Sequence, residues 1–327
     1  MTTDAPNKAP ERLKLSVKPR TVQDKVFFGI ANTAAYSSIV IVSLILIFLF
    51  LRAWPAFASQ NVFDFIAGAG WDSSAQPPIF KIGPMLWGSM LVAGIGVLFA
   101  IPMAISIAYF IEFMAPKPIA KFVTILVDFL AAIPSIIIGL WGFLVLSPVA
   151  ATWAEMLSKS LGFLPFFQNP DSNFQRSPFI AGIVVAVMIV PIIASITREI
   201  FSQMDQELIK GALALGVTKE STFRRVILPT ASGGIVGGAL LGLGRALGET
   251  VAIFYVLNVI FDDFNWFNIL QPKGGSIATL ILAKFGEATA EEIPALMAAG
   301  VVLFVVTLII SSMASYIVGK AQPWRKN

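Results

Sequence analysis

Long unbroken apolar runs alternate along this chain with shorter polar connections. The runs lie at roughly 27–51, 85–111, 122–146, 179–197, 231–260 and 293–318. Each approaches or exceeds the roughly 20 residues that a helix, rising 1.5 Å per residue, needs to cross a hydrocarbon core. The pattern predicts an all-α integral membrane protein with six transmembrane helices. A membrane domain then covers 27–318, between polar tails at 1–26 and 319–327. Ala56-Phe57-Ala58, after the first run, has the look of a signal-peptide cleavage site. The run is far longer than the 7–15 residues of a signal core, so it is read as a retained anchor.

The connections are uneven. Those near 52–84, 147–178 and 261–292 are too long for simple turns. In the middle one, Trp153, Met156, Leu157 and Leu161 recur at near-helical spacing, predicting an interfacial helix or a cap over an external vestibule. The alternate connections carry most of the cations: Lys117 and Lys121 in one, Arg198, Lys210, Lys219, Arg224 and Arg225 in another, with further Lys and Arg in both tails. The long connections hold only Arg52, Lys81, Lys159, Arg176, Lys273 and Lys284. By the positive-inside rule this bias puts both termini in the cytoplasm.

Composition sharpens the picture by exclusion. Charged residues are 13% of the chain, about half the usual share for a soluble protein, against 57% hydrophobic residues. There are no Cys and no His, which excludes disulfides, thiolate chemistry, Cys/His zinc sites and imidazole proton relays. A net charge of +4, thinly spread, makes no nucleic-acid-binding face.

The inner connection before the fifth run is the most informative. Residues 206–215 have helical character, Gly216 suits a C-terminal cap, Thr218 suits an N-cap with Glu220 in the following turn, and Pro229 closes the segment. Leu208, Ala212 and Leu215 share a face, as do Phe223, Val226 and Ile227. Apolar faces on the water side of a membrane need a partner, either a docked protein or the chain's own helices. The fifth run then repeats Gly234, Gly238 and Gly242 every four residues, and Arg245 and Glu249 continue that side. The glycines suit close helix packing more than a ligand. A buried arginine costs roughly 2.5–3.5 kcal/mol on insertion scales, so Arg245 requires a reason. One is a structural ion pair with Glu249 at i,i+4. The other is an anion site, since a guanidinium offers planar paired donors to an oxyanion and stays charged. In the third run Asp128 is a candidate partner for Arg198. Ser135 follows Pro134, where an opened turn exposes a carbonyl. Pro102 and Pro191 suit either hinges or static packing.

Ala212, Gly216, Leu228 and Pro229 stand at the spacing of the EAA loop of ABC-importer permeases, with Lys210, Gly211 and Val226 where that loop usually has Glu, Ala and Ile. Gly242-Leu-Gly-Arg-Ala-Leu-Gly-Glu-Thr250 and Ala132-Ile-Pro-Ser-Ile-Ile-Ile-Gly-Leu-Trp-Gly142 resemble the signatures of phosphate-specific permeases of the PstC type. The outer stretch from Trp71 through Pro77-Pro78 to Gly83 fits the same family. The resemblance implies a MetI-like fold, a bacterial cytoplasmic-membrane location and passage of inorganic phosphate by alternating access. It implies a substrate path including Arg245, Glu249, Thr250 and Ser135, and coupling to an ATPase through Lys210, Ala212, Leu215, Gly216, Leu228 and Pro229. The implied partners are a PstA-like second permease, a PstB-like ATPase dimer and an external PstS-like phosphate-binding protein, alongside membrane lipid. No cofactor or metal is expected on this chain. It lacks the glycine-rich loop ending in Lys-Ser or Lys-Thr that cradles ATP, so ATP and Mg²⁺ belong to the ATPase and the chain itself is not an enzyme. A permease for sulfate or molybdate, an ATP-independent secondary transporter or channel, and a membrane-embedded enzyme are the alternatives.

Overall fold

A computed structural model describes residues 22–321. Most of the 1–26 and 319–327 tails, and with them the position of both termini, therefore lie outside the described residues. The chain divides into two units, one ending at Phe48 and one beginning at Leu49. Helix α1 (Val22–Ser59, 38 residues) spans this division. Its first-unit part exposes apolar side chains on every side, among them Phe27, Ile30, Tyr36, Ile41, Leu44 and Ile47, as lipid-facing helices do.

The second unit continues with α2 (Val62–Ala67) and a short antiparallel hairpin, β1 (Trp71–Asp72) with β2 (Ile79–Phe80), in which Trp71 faces Phe80. Then come α3 (Gly83–Tyr109), α4 (Lys117–Ala132), α5 (Ser135–Trp141), α6 (Ser147–Leu161), α7 (Pro178–Ser202), α8 (Gln206–Ala214), α9 (Lys219–Thr222), α10 (Leu228–Gly248), α11 (Val251–Val256), α12 (Ile277–Lys284) and α13 (Glu292–Ala321). Wide π-type turns at Phe110–Met114, Gly142–Leu146 and Phe223–Ile227 prolong α3, join α5 to α6 and join α9 to α10. Among the described residues, 6 helices are long and apolar enough to cross a membrane: Val26–Ser59, Gly83–Met114, Ser135–Leu161, Pro178–Ser202, Lys219–Gly248 and Glu292–Tyr316.

Two of these differ from the apolar runs. The run at 122–146 is two helices, not one. Pro134 has no amide hydrogen and forces Ile133 out of the helical region (φ −66°, ψ 129°), so α4 stops and α5 restarts. The restarted helix runs on through 147–161, the segment expected to form a separate outer helix. The run at 231–260 is also interrupted, with Glu249 extended (φ −70°, ψ 128°) between α10 and α11.

Helix α7 is the axle of the second unit, with Ile180, Ala181, Val184, Ile189 and Ile193 fully shielded. Helix α3 closes on it where Gly96 faces Val185 and Gly182 faces Ile95. Helix α10 closes on it where Gly238 faces Ile196 and Gly242 faces Ile193; a Cβ at Gly242 would lie 2.9 Å from Ile193 Cδ1. The Gly234–Gly238–Gly242 stripe is thus a packing surface. Close backbone approach of this kind multiplies van der Waals contact where lipid supplies no hydrophobic drive between helices.

Candidate functional site

The two helix breaks lie side by side. Gly139 of α5 packs on Ala252 of α11, a Cβ there falling 2.7 Å from the Ala252 Cα, and one turn on Gly142 packs on Val256 and Val184. The pairs 139 with 252 and 142 with 256 ascend together, so α5 and α11 are parallel. Ser135 lies four residues before Gly139 and Glu249 three residues before Ala252, so both precede this contact along their parallel half-helices. Two half-helices therefore begin shortly before this contact, α5 at Ser135 and α11 at Val251, each with its first N–H groups free of intrahelical carbonyls. Interrupted helices are tolerated at membrane depth where the opened backbone is buried in protein or lines a cavity.

The charged and polar candidates gather around this junction. Arg245 sits in the last turn of α10 and is exposed, away from the glycine stripe that meets α7. The expectation that Arg245 continues the stripe is thereby corrected. Gly237, Gly244 and Gly248 also have nothing within 4 Å, so with exposed Leu241 they form the free side of α10. Glu249 has left the helix and is 8% exposed. The i,i+4 geometry assumed for an Arg245–Glu249 pair does not exist, and among the described residues no ion pair joins them. Thr250 donates its hydroxyl to the Gly248 carbonyl (3.2 Å), covering one acceptor that the break opens. It also borders an apolar cavity of about 400 Å³ lined by Ile281, Leu282, Phe285 and Leu303. Ser135 is half-buried at the first position of α5. Among the described residues Arg245 has no ion-pair partner, and one turn before the Glu249 break it leaves a local excess of positive potential suited to an anion.

The inner segment divides into two functions. Asp205 caps α8 by accepting from Glu207 N (2.8 Å). At its other end Val217 N bonds Ala212 O and Gly216 N bonds Leu213 O, a Schellman closure with Gly216 at φ +78°. A side chain at that φ is strained, which explains the glycine. Thr218 then caps α9 through Ser221 N (3.3 Å), and Glu220 pairs with Arg224 (2.8 Å). The two apolar faces have different fates. Phe223 and Ile227 turn inward, with Phe223 packed on Tyr109 at a ring separation of 4.3 Å. Leu208 and Leu215 stay outside, Leu215 at 84% exposure, while only Ile209 anchors α8. Lys210 and Pro229 are exposed, and Ala212 and Leu228 half-buried.

Position bears on two of the remaining candidates. Arg198 donates to Thr124 (2.8 Å) and not to Asp128, which is exposed. Pro102 and Pro191 lie within continuous helices. Among the described residues no cluster of metal-binding side chains occurs. Sequence reasoning missed the break at Glu249, which no proline marks, and the contact of Gly139 with Ala252 that holds the two breaks together. Gly139 and Gly142, three apart just after Pro134, were the available signal.

Residues 96–322 match the model of the family described as the binding-protein-dependent transport system inner membrane component. The chain is 34% identical over 315 residues to the phosphate transport system permease protein PstC 2 of Mycobacterium bovis, covering 95% of this chain and 96% of that one. It is 36% identical over 298 residues to PstC of Haemophilus influenzae, covering 89% and 92%. Among solved structures, an inward-facing methionine ABC transporter MetNI aligns at TM-score 0.52 and 16% identity over 72% of this chain and 94% of that one. A bacterial ABC transporter that imports alginate aligns at 0.51 and 18% identity over 90% and 99%. These two share the fold.

Proposed function

The chain belongs to the binding-protein-dependent transport system inner membrane component family, and from that premise we propose that it is the permease subunit of an ATP-driven phosphate importer. It is a multi-pass inner-membrane protein and not itself an enzyme. The observation that carries the reading is Arg245: a permanent cation on the free side of α10, unpaired with Glu249, beside the junction of two interrupted helices. The relatives named for phosphate supply the substrate class.

In this reading both termini are cytoplasmic and a PstA-like permease completes the path around the α10 free side. A PstS-like protein delivers phosphate to the outer loops. A PstB-like ATPase pair, which holds ATP and Mg²⁺, grips α8. Its closure pulls on Leu208 and Leu215, and the α9–α10 helix carries the displacement to the Arg245 end. Arg245 attracts the anion, Glu249 limits its charge, and Ser135 and Thr250 offer hydrogen bonds at the breaks. Lys210, Ala212, Gly216, Leu228 and Pro229 shape the coupling segment.

Uptake of labelled phosphate at low concentration tests this, in cells lacking the chain and resupplied with it. Wild type restores uptake that arsenate blocks and sulfate does not. Arg245→Ala assembles yet fails to transport; normal transport by that variant would refute the anion-site role. Leu215→Asp, at an exposed position, releases the ATPase in pull-down, and full retention would refute the coupling role. Blocking by sulfate in place of arsenate would favour a different oxyanion.

A further inference from the structure

Helix α4 has three sides, and only two are accounted for. Ala120, Val123, Thr124, Val127 and Leu130 are half-buried, and Thr124 is tied to Arg198 of α7, so this side rests on α7. Ile119, Phe122, Ile125, Leu126 and Phe129 are exposed, an apolar side that suits lipid. The third side is Lys117, Lys121, Asp128 and Ala132, all exposed. At 100° per residue these four fall within about 60° of one another. Among the described residues neither Lys121 nor Asp128 forms an ion pair or hydrogen bond with another group. The strip climbs from Lys117 to Ala132 and ends at the Pro134 break, one step from Ser135 at the start of α5.

An exposed carboxylate cannot be left in hydrocarbon at low cost, and intramembrane charges face a bundle interior or a water-filled cavity. The lipid side is already taken by the phenylalanines, and the α7 side is packed. We infer that the Lys121–Asp128–Ala132 side of α4 is the water-exposed wall of the inner half of the anion path, leading from the junction at Ser135 to an exit marked by Lys117 and Lys121. Resting on the importer reading above, this adds the route by which the anion leaves. The opposed charges on this wall, about 10 Å apart along the helix, suit a weak exit site. The cations draw the anion outward from the junction, and Asp128 keeps it from settling beside the wall.

The chain contains no cysteine, so a single introduced thiol can be followed without background on this chain. The experiment uses the assembled importer in proteoliposomes with Asp128→Cys, Ala132→Cys, Leu126→Cys or Phe129→Cys. Each is treated with a charged, water-soluble thiosulfonate, and labelling is read on this chain alone. Positions 128 and 132 are expected to react at least about tenfold faster than 126 and 129, and saturating inorganic phosphate is expected to slow them severalfold. Ala132→Cys changes the side chain little, so it remains informative if Asp128→Cys assembles poorly. Rates at 132 as slow as at 129 would overturn the inference, because lipid or a second subunit then covers this side. Fast labelling that phosphate leaves unchanged would overturn it too, since the water there is not the path. Wild-type uptake in the same vesicles separates the two claims. Phosphate transport with an unreactive wall refutes only the wall. A reactive wall protected by sulfate, without phosphate transport, refutes only the substrate.

Discussion

The third and fifth apolar runs are both broken, and by different means. At Ile133–Pro134 the cause is local: a missing amide hydrogen and a ring that clashes with the preceding turn end α4 whatever surrounds it. At Glu249 nothing in the backbone chemistry compels a stop. Glycines at 244 and 248 weaken the helix, but the same glycine content upstream leaves α10 intact over Leu228–Gly248. What differs is the neighbour. Ala252 and Val256 must meet Gly139 and Gly142, and the interruption lets α11 seat against α5. One break is written into a residue; the other coincides with the packing of α11 on the helix that follows the first.

The variant that attacks this dependence most directly is Gly139→Val. Its side chain would enter space held by Ala252, with the Cβ position already 2.7 Å from that Cα. Overpacking of this kind costs about 1–3 kcal/mol, and at a junction of two half-helices we expect the upper end together with loss of uptake. Thermal unfolding in detergent and phosphate uptake measure the two effects. An unchanged midpoint would show that α11 does not depend on α5.

Pro134→Ala asks whether the local cause can be removed alone. With the amide restored, α4 and α5 can join, and uptake is expected to fall about tenfold while stability changes by less than about 1 kcal/mol, since the packing of α5 on α11 remains available. Wild-type uptake in this variant would mean that the first break is incidental to transport.

Gly248→Ala probes the second break more gently. An added Cβ meets nothing within 4 Å, and alanine favours the helix by roughly 0.5–1 kcal/mol. A small rise in unfolding midpoint with a severalfold loss of uptake is expected if the interruption must persist. A rise with full activity would assign the break wholly to the α5 contact.

Asp72→Asn, in the outer hairpin, is the distant control and the smallest effect. The Ser74 hydroxyl, then its N–H, bonds to the Asp72 carboxylate and holds it below its ordinary value of 3.8. A carboxyl lowered on folding stabilises above the unfolded value and loses that contribution as pH falls through the folded one. The wild-type advantage in unfolding midpoint over Asp72→Asn should therefore be slight at neutral pH, begin to shrink as pH falls past about 3.8 and be gone below the lower folded value. A variant that transported poorly at neutral pH would show that the hairpin is coupled to the junction after all.

Much of this is legible in the sequence. Apolar run length marked the spans because lipid satisfies no backbone group, so crossing segments must be long, continuous in hydropathy and helical. Gly216 and Thr218 announced the two ends of the inner turn, since a left-handed closure and a side-chain cap each demand particular residues. The charge of Arg245 flagged the junction because insertion makes such a residue costly. The sequence alone, through these local rules, determined the class, the inner helix–turn–helix and the residues around which a site would form. Tertiary structure alone decided that Glu249 leaves the helix and cannot pair with Arg245 at i,i+4, that Leu215 faces out while Phe223 faces in, and that Arg198 meets Thr124. Each of those outcomes depends on which surface another helix occupies, and contacts between segments distant in sequence carry no local signature.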